Sequence, residues 1–505
     1  MKPITPDILL VAVNARYSHC AYAVRSLLAN LGSLADKATI IETDLEVTPL
    51  QLASQIVEAN PRIAGFSVYL WNVRLIEAVA RILHAVAPHM RLIAGGPELT
   101  ADYLHASLFD SVIVGEGETA FRTLCERWLA PAACGSTGAR LPSPLSAPEV
   151  RASPRDASDC AIVLAPPEDL SALALPFHLY TGTDLAQRTI YVESSRGCPY
   201  ACSYCTSANT GLRLVPLDRL LPALDALWQR GLRRFKFLDR SFNAPAEHAV
   251  ALLDFFLSRA TPDMSLHFEI NTDHLVDRVA SRLSSFPKST LHLEAGIQTL
   301  NPRVAVAVGR GADTQTTLRH LRYLTQCTGA VVHADLIFGL PGEDEASFAL
   351  GFNSLVETCH PPEVQVNLLK ALPGTRLAHE AAALGLVFNT EPPYELLHSD
   401  VMDFAGLVRL QRFARCWELV HNRSRFPNTV HALHAACNGD YYGTYQSLAT
   451  RIHADEGKLF AIGLSSMVRY LRAHLVETCG LSTSAADKLL AEDLNGKKSQ
   501  ERVER

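Results

Sequence analysis

Twice along this chain short apolar runs alternate with amphipathic helical stretches, and that alternation leaves few folds open. Runs buried on both faces and separated by helices describe a parallel sheet with helices on each side. The first series comprises DILLVAV (7–13), ATIIETD (38–44), RIAGFSVY (62–69), RLIAGG (91–96) and DSVIVG (110–115). The second comprises TIYVESS (189–195), RFKFLDR (234–240), SLHFEIN (265–271), TLHLEAGIQ (290–298), VVHADLIFG (331–339) and EVQVNLLK (363–370). Six βα units in so short a stretch suit a partial barrel better than a second open sheet. Residues 131–186 are rich in Ala, Ser and Pro without a period and read as a linker. The expected fold is α/β: a doubly wound parallel sheet over 1–130, the linker, a partial (βα)6 barrel over 187–385, and a mostly helical domain over 386–505.

Hydrophobic residues make up 48% of the 505 and charged ones 19%, so the chain can offset its ordering entropy by burial. The net charge of −6 is not gathered in one block, which argues against a broad nucleic-acid surface. The longest strongly apolar stretch, between Arg62 and Arg74, has eleven residues. A spanning helix needs about 20, so no transmembrane segment is expected. The opening MKPITPDILLVAVNARYSHC has a Lys and an apolar run of signal-peptide length. DILLVAV, however, begins with an acid, has strand length and lacks a convincing small-residue cleavage site, so it reads as the first strand. Nine of the twelve cysteines are isolated, which favours a reducing cytoplasm with the chemistry in one cluster.

In an open parallel sheet the ligand sits beyond the carboxyl ends of the strands. Those ends read Asn14-Ala15-Arg16-Tyr17-Ser18, Ser67-Val68-Tyr69-Leu70-Trp71-Asn72, Gly95-Gly96-Pro97 and Gly115-Glu116-Gly117-Glu118. Candidates for ligand contact there are Asn14, Tyr17, Ser67, Trp71, Gly95, Gly96, Gly115 and Glu116. The glycines equally suit tight βα turns, and Trp71 equally suits ordinary packing. GEGE is not a G-x-G-x-x-G fingerprint, and no P-loop occurs.

Cys198, Cys202 and Cys205 fall in SSRGCPYACSYCTSA, directly after the first strand of the second series. Three thiolates can hold three irons of a 4Fe-4S cluster and leave the fourth iron open to a ligand. A closed zinc site needs a fourth Cys or His at short range, and the nearest downstream are His248 and His267.

The CX3CX2C spacing, with Tyr204 just before the last cysteine, resembles the signature of radical S-adenosylmethionine (SAM) enzymes. The resemblance implies a TIM-type partial barrel in which SAM chelates the open iron and is cleaved to a 5′-deoxyadenosyl radical. It places Asp239, in FKFLDRSFN, near the SAM ammonium, with a turn acid or helix cap as the plain alternative. It sets Glu294 and Gln298, in HLEAGIQTLN, toward the ribose or methionine part; either equally fits a satisfied polar residue of the barrel interior. It sets Ile337 and Gly339, in HADLIFGLPGED, beside the adenine, although Gly339, Pro341 and Gly342 also suit a turn. Asn271 and Asp273, at the third strand end, are further candidates for site lining.

An open sheet ahead of such a barrel resembles the Rossmann-like domain of cobalamin-dependent radical SAM enzymes. NARYSH and the PPYELLHSD segment (392–400) resemble a subgroup with an uncharacterised C-terminal domain. The D-x-H-x-x-G motif, whose His ligates cobalt from below, is missing from the first 130 residues, which implies cobalamin without that ligand. Cys20, Cys125, Cys134 and Cys160 are too scattered for the second cluster of a methylthiolating enzyme. The function implied is methyl transfer to an unactivated carbon or phosphorus centre of a small molecule, peptide or lipid. A low-potential donor such as flavodoxin or ferredoxin would supply electrons. The alternatives are a rearrangement, oxidation or ring change assisted by cobalamin, and a non-enzymatic cobalamin or redox sensor. Residues 386–505 are expected to cover the barrel mouth, with His398, Asp400, Tyr441 and Tyr442 read as structural.

Overall fold

The computed structural model describes residues 6–130, 150–152 and 160–503. Its contacts divide the chain into two compact units: Met1–Arg196 with Leu212–Leu238 and Leu372–Gly374, and Gly197–Gly211 with Asp239–Ala371 and Thr375–Arg505.

The first unit is built on a seven-stranded sheet. Its strands are β1 (Ile8–Asn14), β2 (Ala38–Asp44), β3 (Ile63–Ser67), β4 (Arg91–Gly95), β5 (Ser111–Gly115), β6 (Val150–Ala152) and β7 (Ala161–Ala165), in the order β2-β1-β3-β4-β5-β7-β6. All neighbours are parallel except the edge pair β6·β7. Along β1, Leu9, Val11 and Val13 pack with Leu52, Ile56, Ile76 and Leu83 from the helices α2 (Pro49–Ala59) and α3 (Val73–Val86). Ile8, Leu10 and Ala12 point the other way, toward Val24 of α1 (Tyr22–Ala29) and Phe121 and Leu124 of α4 (Glu118–Leu129). One strand therefore feeds two cores, which is why its sequence is apolar without a break. The chain crosses from one face to the other between β1 and β3, so their carboxyl ends flank the crevice where such sheets take ligands.

One expectation fails here. The linker reading of 131–186 placed no strand there, yet Ala161–Ala165 pairs in parallel with β5, and Gly182–Gln187 is helical. AIVLA is as apolar and as long as the other buried strands; the Pro- and Ser-rich composition around it masked the signal. Residues 131–149 and 153–159 of that linker lie outside the described residues.

A further set of parallel strands follows. In the first unit β8 (Ile190–Val192) pairs with β11 (Arg234–Phe237), and the short antiparallel ribbon of β9 (Ser195–Arg196) and β10 (Arg213–Leu214) lies between them in the chain. In the second unit β12 (Ser265–Ile270), β13 (Leu291–Gln298), β14 (Val331–Phe338) and β15 (Glu363–Leu368) pair successively in chain order. Helices such as Thr314–Cys327 and Glu345–Cys359 connect them. Beyond residue 400 the chain is helical, with Phe404–Trp417, Pro427–Ala436, Tyr441–Glu456, Leu464–Glu477 and Thr483–Val503 as its main helices. Among the described residues no helix is long and apolar enough to cross a membrane.

Gly115, the last residue of β5, has φ +109°, and a Cβ there would lie 2.3 Å from the Ala165 carbonyl oxygen. That oxygen belongs to the neighbouring strand and cannot yield cheaply. Gly115→Ala should therefore destabilise the first unit by about 2 kcal/mol or more, read as a lowered midpoint in denaturant unfolding followed by far-UV circular dichroism.

Candidate cluster and nucleotide site

Gly197–Gly211 forms the cysteine loop. Its two ends meet because Gly197 takes φ +85°, where a Cβ would strike the Gly211 carbonyl oxygen at 1.8 Å. Inside the loop the backbone is held at several points. Cys205 N donates to the Cys202 carbonyl at 3.1 Å, Asn209 N to that of Tyr200 at 2.9 Å, and Ser203 N to that of Val308 at 2.9 Å. Cys198 N donates to Thr210 Oγ1 at 3.2 Å, while the Tyr200 ring stacks on His274 with centroids 5.4 Å apart.

The three thiols share the wall of one cavity of about 260 Å³ with Tyr200, Tyr204, Arg240, Ser241, Glu269, Asn271, Glu294, Gln298, Arg310 and Asp335. Side chains from three parallel strands thus converge on the cysteine loop, those of β12 and β13 reaching to the carboxyl ends, where barrels present reactive side chains. Cys198 is buried and lies 3.7 Å from Ser241 Oγ, and Cys205 Sγ already accepts a hydrogen bond from Ser207 N at 3.4 Å. Burial pushes the Cys205 thiol above its ordinary range, a cost that metal coordination removes by replacing the proton. Burial likewise raises Tyr200, to about 12, and Tyr204, so both phenols stay neutral. Arg310, largely buried, pairs with Asp273 Oδ2 at 2.9 Å, and Thr317 Oγ1 donates to the other oxygen of that carboxylate at 2.8 Å. A donor set of three thiols on one wall, one of them already accepting an N–H, fits an iron–sulfur cluster with one iron left to a ligand.

Of the residues singled out in the sequence, Cys198, Cys202, Tyr204, Cys205, Glu294, Gln298 and Asn271 line this cavity. Glu294 Oε1 also meets His267 Nε2 at 2.7 Å. Asp239 is buried beside the lining pair Arg240 and Ser241 without being on the wall, and Ile337 lies one pleat beyond Asp335 on the same face of β14. Gly339 is not on that wall, and a Cβ on it would lie 2.6 Å from Leu396 Cδ2. Sequence reasoning missed Arg310, Arg240, Glu269 and Asp335. The period of two that put Ile337 in view also holds Asp335, so that signal was available. Nothing local marks Arg310.

In the first unit Asn14 and Ser67 end β1 and β3. The Asn14 amide donates to the His19 carbonyl and to Glu42 Oε1, both at 2.8 Å, and Ser67 is buried. Trp71 stacks on Tyr69 at 4.4 Å and donates from Nε1 to the Val13 carbonyl at 3.0 Å, yet 46% of its surface is exposed. Tyr17, 53% exposed, lies under the Arg188 guanidinium. An exposed indole and phenol near the β1/β3 crevice fit a large planar ligand such as a corrin. Gly95 ends β4 and Gly96 follows it, whereas Glu116 is held between Arg196 and Arg213. Cys20, Glu42 and Asp184 also converge, but Arg25 and Arg188 each pair with both carboxylates, and burial pushes the Cys20 thiol up to about 12. Two guanidiniums on those carboxylates make this an ion-pair cluster.

Comparison with known proteins matches three stretches of the chain. A B12 binding domain matches residues 8–125, the Radical SAM superfamily matches 192–350, and a protein of unknown function (DUF4080) matches 382–501. The chain thus shows three matched regions in series, each shorter than half of its length. It carries a B12-binding domain before the radical SAM domain and a DUF4080 domain after it. The 2-(S-pantetheinyl)-carbapenam-3-carboxylate methyltransferase of Streptantibioticus cattleyicolor is 26% identical over 368 residues, 66% of this chain and 50% of that protein. The chain thus spans about half the length of that relative. The radical S-adenosylmethionine methyltransferase TsrM of Kitasatospora setae, solved with tryptophan and a SAM analogue, has a TM-score of 0.57 at 17% identity, covering 78% of this chain and 80% of that one. The cobalamin-dependent S-adenosylmethionine radical enzyme OxsB, solved with aqua-cobalamin and SAM, has a TM-score of 0.56 at 13% identity, covering 99% and 80%. At these identities the two structures speak to the fold alone.

The turn after β14 supplies a pH test. Glu343 is 2% exposed and accepts a hydrogen bond at 2.6 Å from Thr299 Oγ1, next to Gln298. Burial raises its carboxyl to about 7, against about 4.5 for the free side chain; the Thr299 bond opposes the rise and Asp344 adds to it. The folded chain therefore holds this proton more tightly than the unfolded one. The stability it contributes is fully present below about 4.5 and is lost as pH rises through about 7. Glu343→Gln should melt like wild type near pH 4.5 and be more stable by about 3 kcal/mol at pH 8; a gain independent of pH would refute burial as the cause.

Proposed function

We propose that this chain is a cobalamin-dependent radical SAM methyltransferase that methylates an unactivated carbon or phosphorus centre of a small molecule, peptide or lipid. The observation that carries the reading is the meeting of Cys198, Cys202 and Cys205 with polar side chains of β12, β13 and β14 around one cavity. The carbapenam relative, itself named a methyltransferase, and the B12-binding match of the front domain support methyl transfer over the other radical chemistries. A low-potential flavodoxin or ferredoxin and a cytoplasmic setting belong to the same reading.

When bound, the cluster would supply the electron that cleaves SAM, and cobalamin would supply the methyl group. The chain's own residues do the rest. The three thiolates would hold three irons, and on the same cavity wall Glu294 and Gln298 offer acceptors and a donor to ribose hydroxyls. Arg310, fixed by Asp273, offers a cation for a carboxylate, and Glu269 and Asp335 offer anions for an ammonium. Trp71 and Tyr17 give the front sheet its exposed aromatic surface for a corrin.

An anaerobic assay of the chain reconstituted with iron, sulfide and cobalamin, given SAM and a strong reductant, tests this by mass spectrometry. Both 5′-deoxyadenosine and S-adenosylhomocysteine are expected, the latter only with cobalamin, and both should fall to background in Cys202→Ala. Deoxyadenosine without S-adenosylhomocysteine would replace methyl transfer by another radical reaction, and neither product from the loaded protein would sink the enzyme reading.

A further inference from the structure

Glu116 and Glu118 are the two acids where β5 passes into α4, with side chains 23% and 6% exposed. Arg196 reaches Glu118 with both terminal nitrogens, at 2.6 and 3.2 Å, and Glu116 Oε2 at 3.1 Å. Arg213 grips the same Glu116 through both oxygens. The side chains of Arg196 and Glu118 are only 13% and 6% exposed. Further bonds brace the acids: Ser26 Oγ donates to Glu118 Oε1 at 2.7 Å, and Glu168 N donates to Glu116 Oε2 at 2.9 Å.

Arg196 and Arg213 are register partners in the ribbon β9·β10. The chain between them is the stretch that carries the three cysteines. A ribbon of two residues a side cannot hold its own orientation. Forked, largely buried Arg–carboxylate pairs fix direction as well as distance, unlike exposed ion pairs, which contribute little. Both stems of the loop are thus clamped to one turn of the front domain.

We propose that Glu116 and Glu118 are positioning residues for the cysteine loop: through Arg196 and Arg213 they set how the three thiols are presented. The proposal rests on the radical SAM reading for its consequence and not for the clamp itself. It gives the GEGE turn a task distinct from ligand contact.

Two measurements on the full chain test it, with Glu116→Gln and Arg213→Gln as variants. Arg188→Gln, which breaks the other buried ion cluster of the same unit, serves as the control for lost stability. In the cofactor-free protein, hydrogen exchange at the amides of 198–210 should rise several-fold in the two clamp variants and not in the control. In the iron- and sulfide-loaded protein, both clamp variants should change the electron paramagnetic resonance signal of the reduced cluster on SAM addition, with Arg213→Lys closer to wild type. Unchanged loop exchange, or an equal rise in the control, overturns the clamp. Altered exchange with an unchanged resonance signal overturns its role in presenting the thiols. If wild type takes up no cluster, the radical SAM reading fails, while the exchange data still decide the clamp.

Discussion

Alternation along β12, β13 and β14 is the constraint on which the second unit depends. Leu291, Leu293, Ala295 and Ile297 are at most 1% exposed, as are Leu266, Phe268, Val332 and Ala334, whereas the residues between them stay half-buried. Each large apolar side chain on the covered face contributes about 1.5–3 kcal/mol, and a register slip of one residue would exchange the two faces. The other face then has to be polar along its length. It carries His267, Glu269, His292, Glu294, His333 and Asp335, where a closed barrel is usually packed with branched apolar residues. The three imidazoles sit 6.3–6.4 Å apart between centroids, and Glu294 and Glu363 pair with two of them. The sheet's stability and the polar cavity beside the cysteines therefore follow from the same pattern.

Much of the architecture was legible for that reason. Strands buried on both faces, such as β1, and strands with strict alternation, such as β13, each announce themselves within a few residues. The cysteine loop did so too, because its spacing is local. The site is less legible where a contact joins distant parts of the chain. Glu116 stood out in the sequence as one acid of a glycine-rich turn, but its partners Arg196 and Arg213 lie 80 and 97 residues further on. Nothing near Arg310 in VAVGRGAD hints that Asp273 will hold it beside Cys202. Local composition also misled. The Ala161–Ala165 strand sits in a stretch whose prolines and serines read as linker, and only its pairing with β5 reveals it.

The helical C-terminal region belongs to the same compact unit as the cavity, and its anchoring explains how. Phe413, Trp417 and Tyr442 pack around Phe352 and Phe348 of helix Glu345–Cys359, with edge contacts of Phe352 at 4.9 Å to Phe413 and 4.8 Å to Trp417. The Tyr441 hydroxyl donates to Glu357, and that of Tyr442 to Glu345 at 2.8 Å. Both tyrosines are thus packing residues with a polar tip that ties one helix to another. Helix Glu345–Cys359 directly follows β14 and the turn containing Gly339 and Glu343, and Gly339 itself is covered by Leu396 and Leu407. The region therefore braces, from outside, the strand that brings Asp335 to the cavity. A substitution in the Phe352–Trp417 contact would reach the site through β14, although none of these aromatic residues touches the cavity wall.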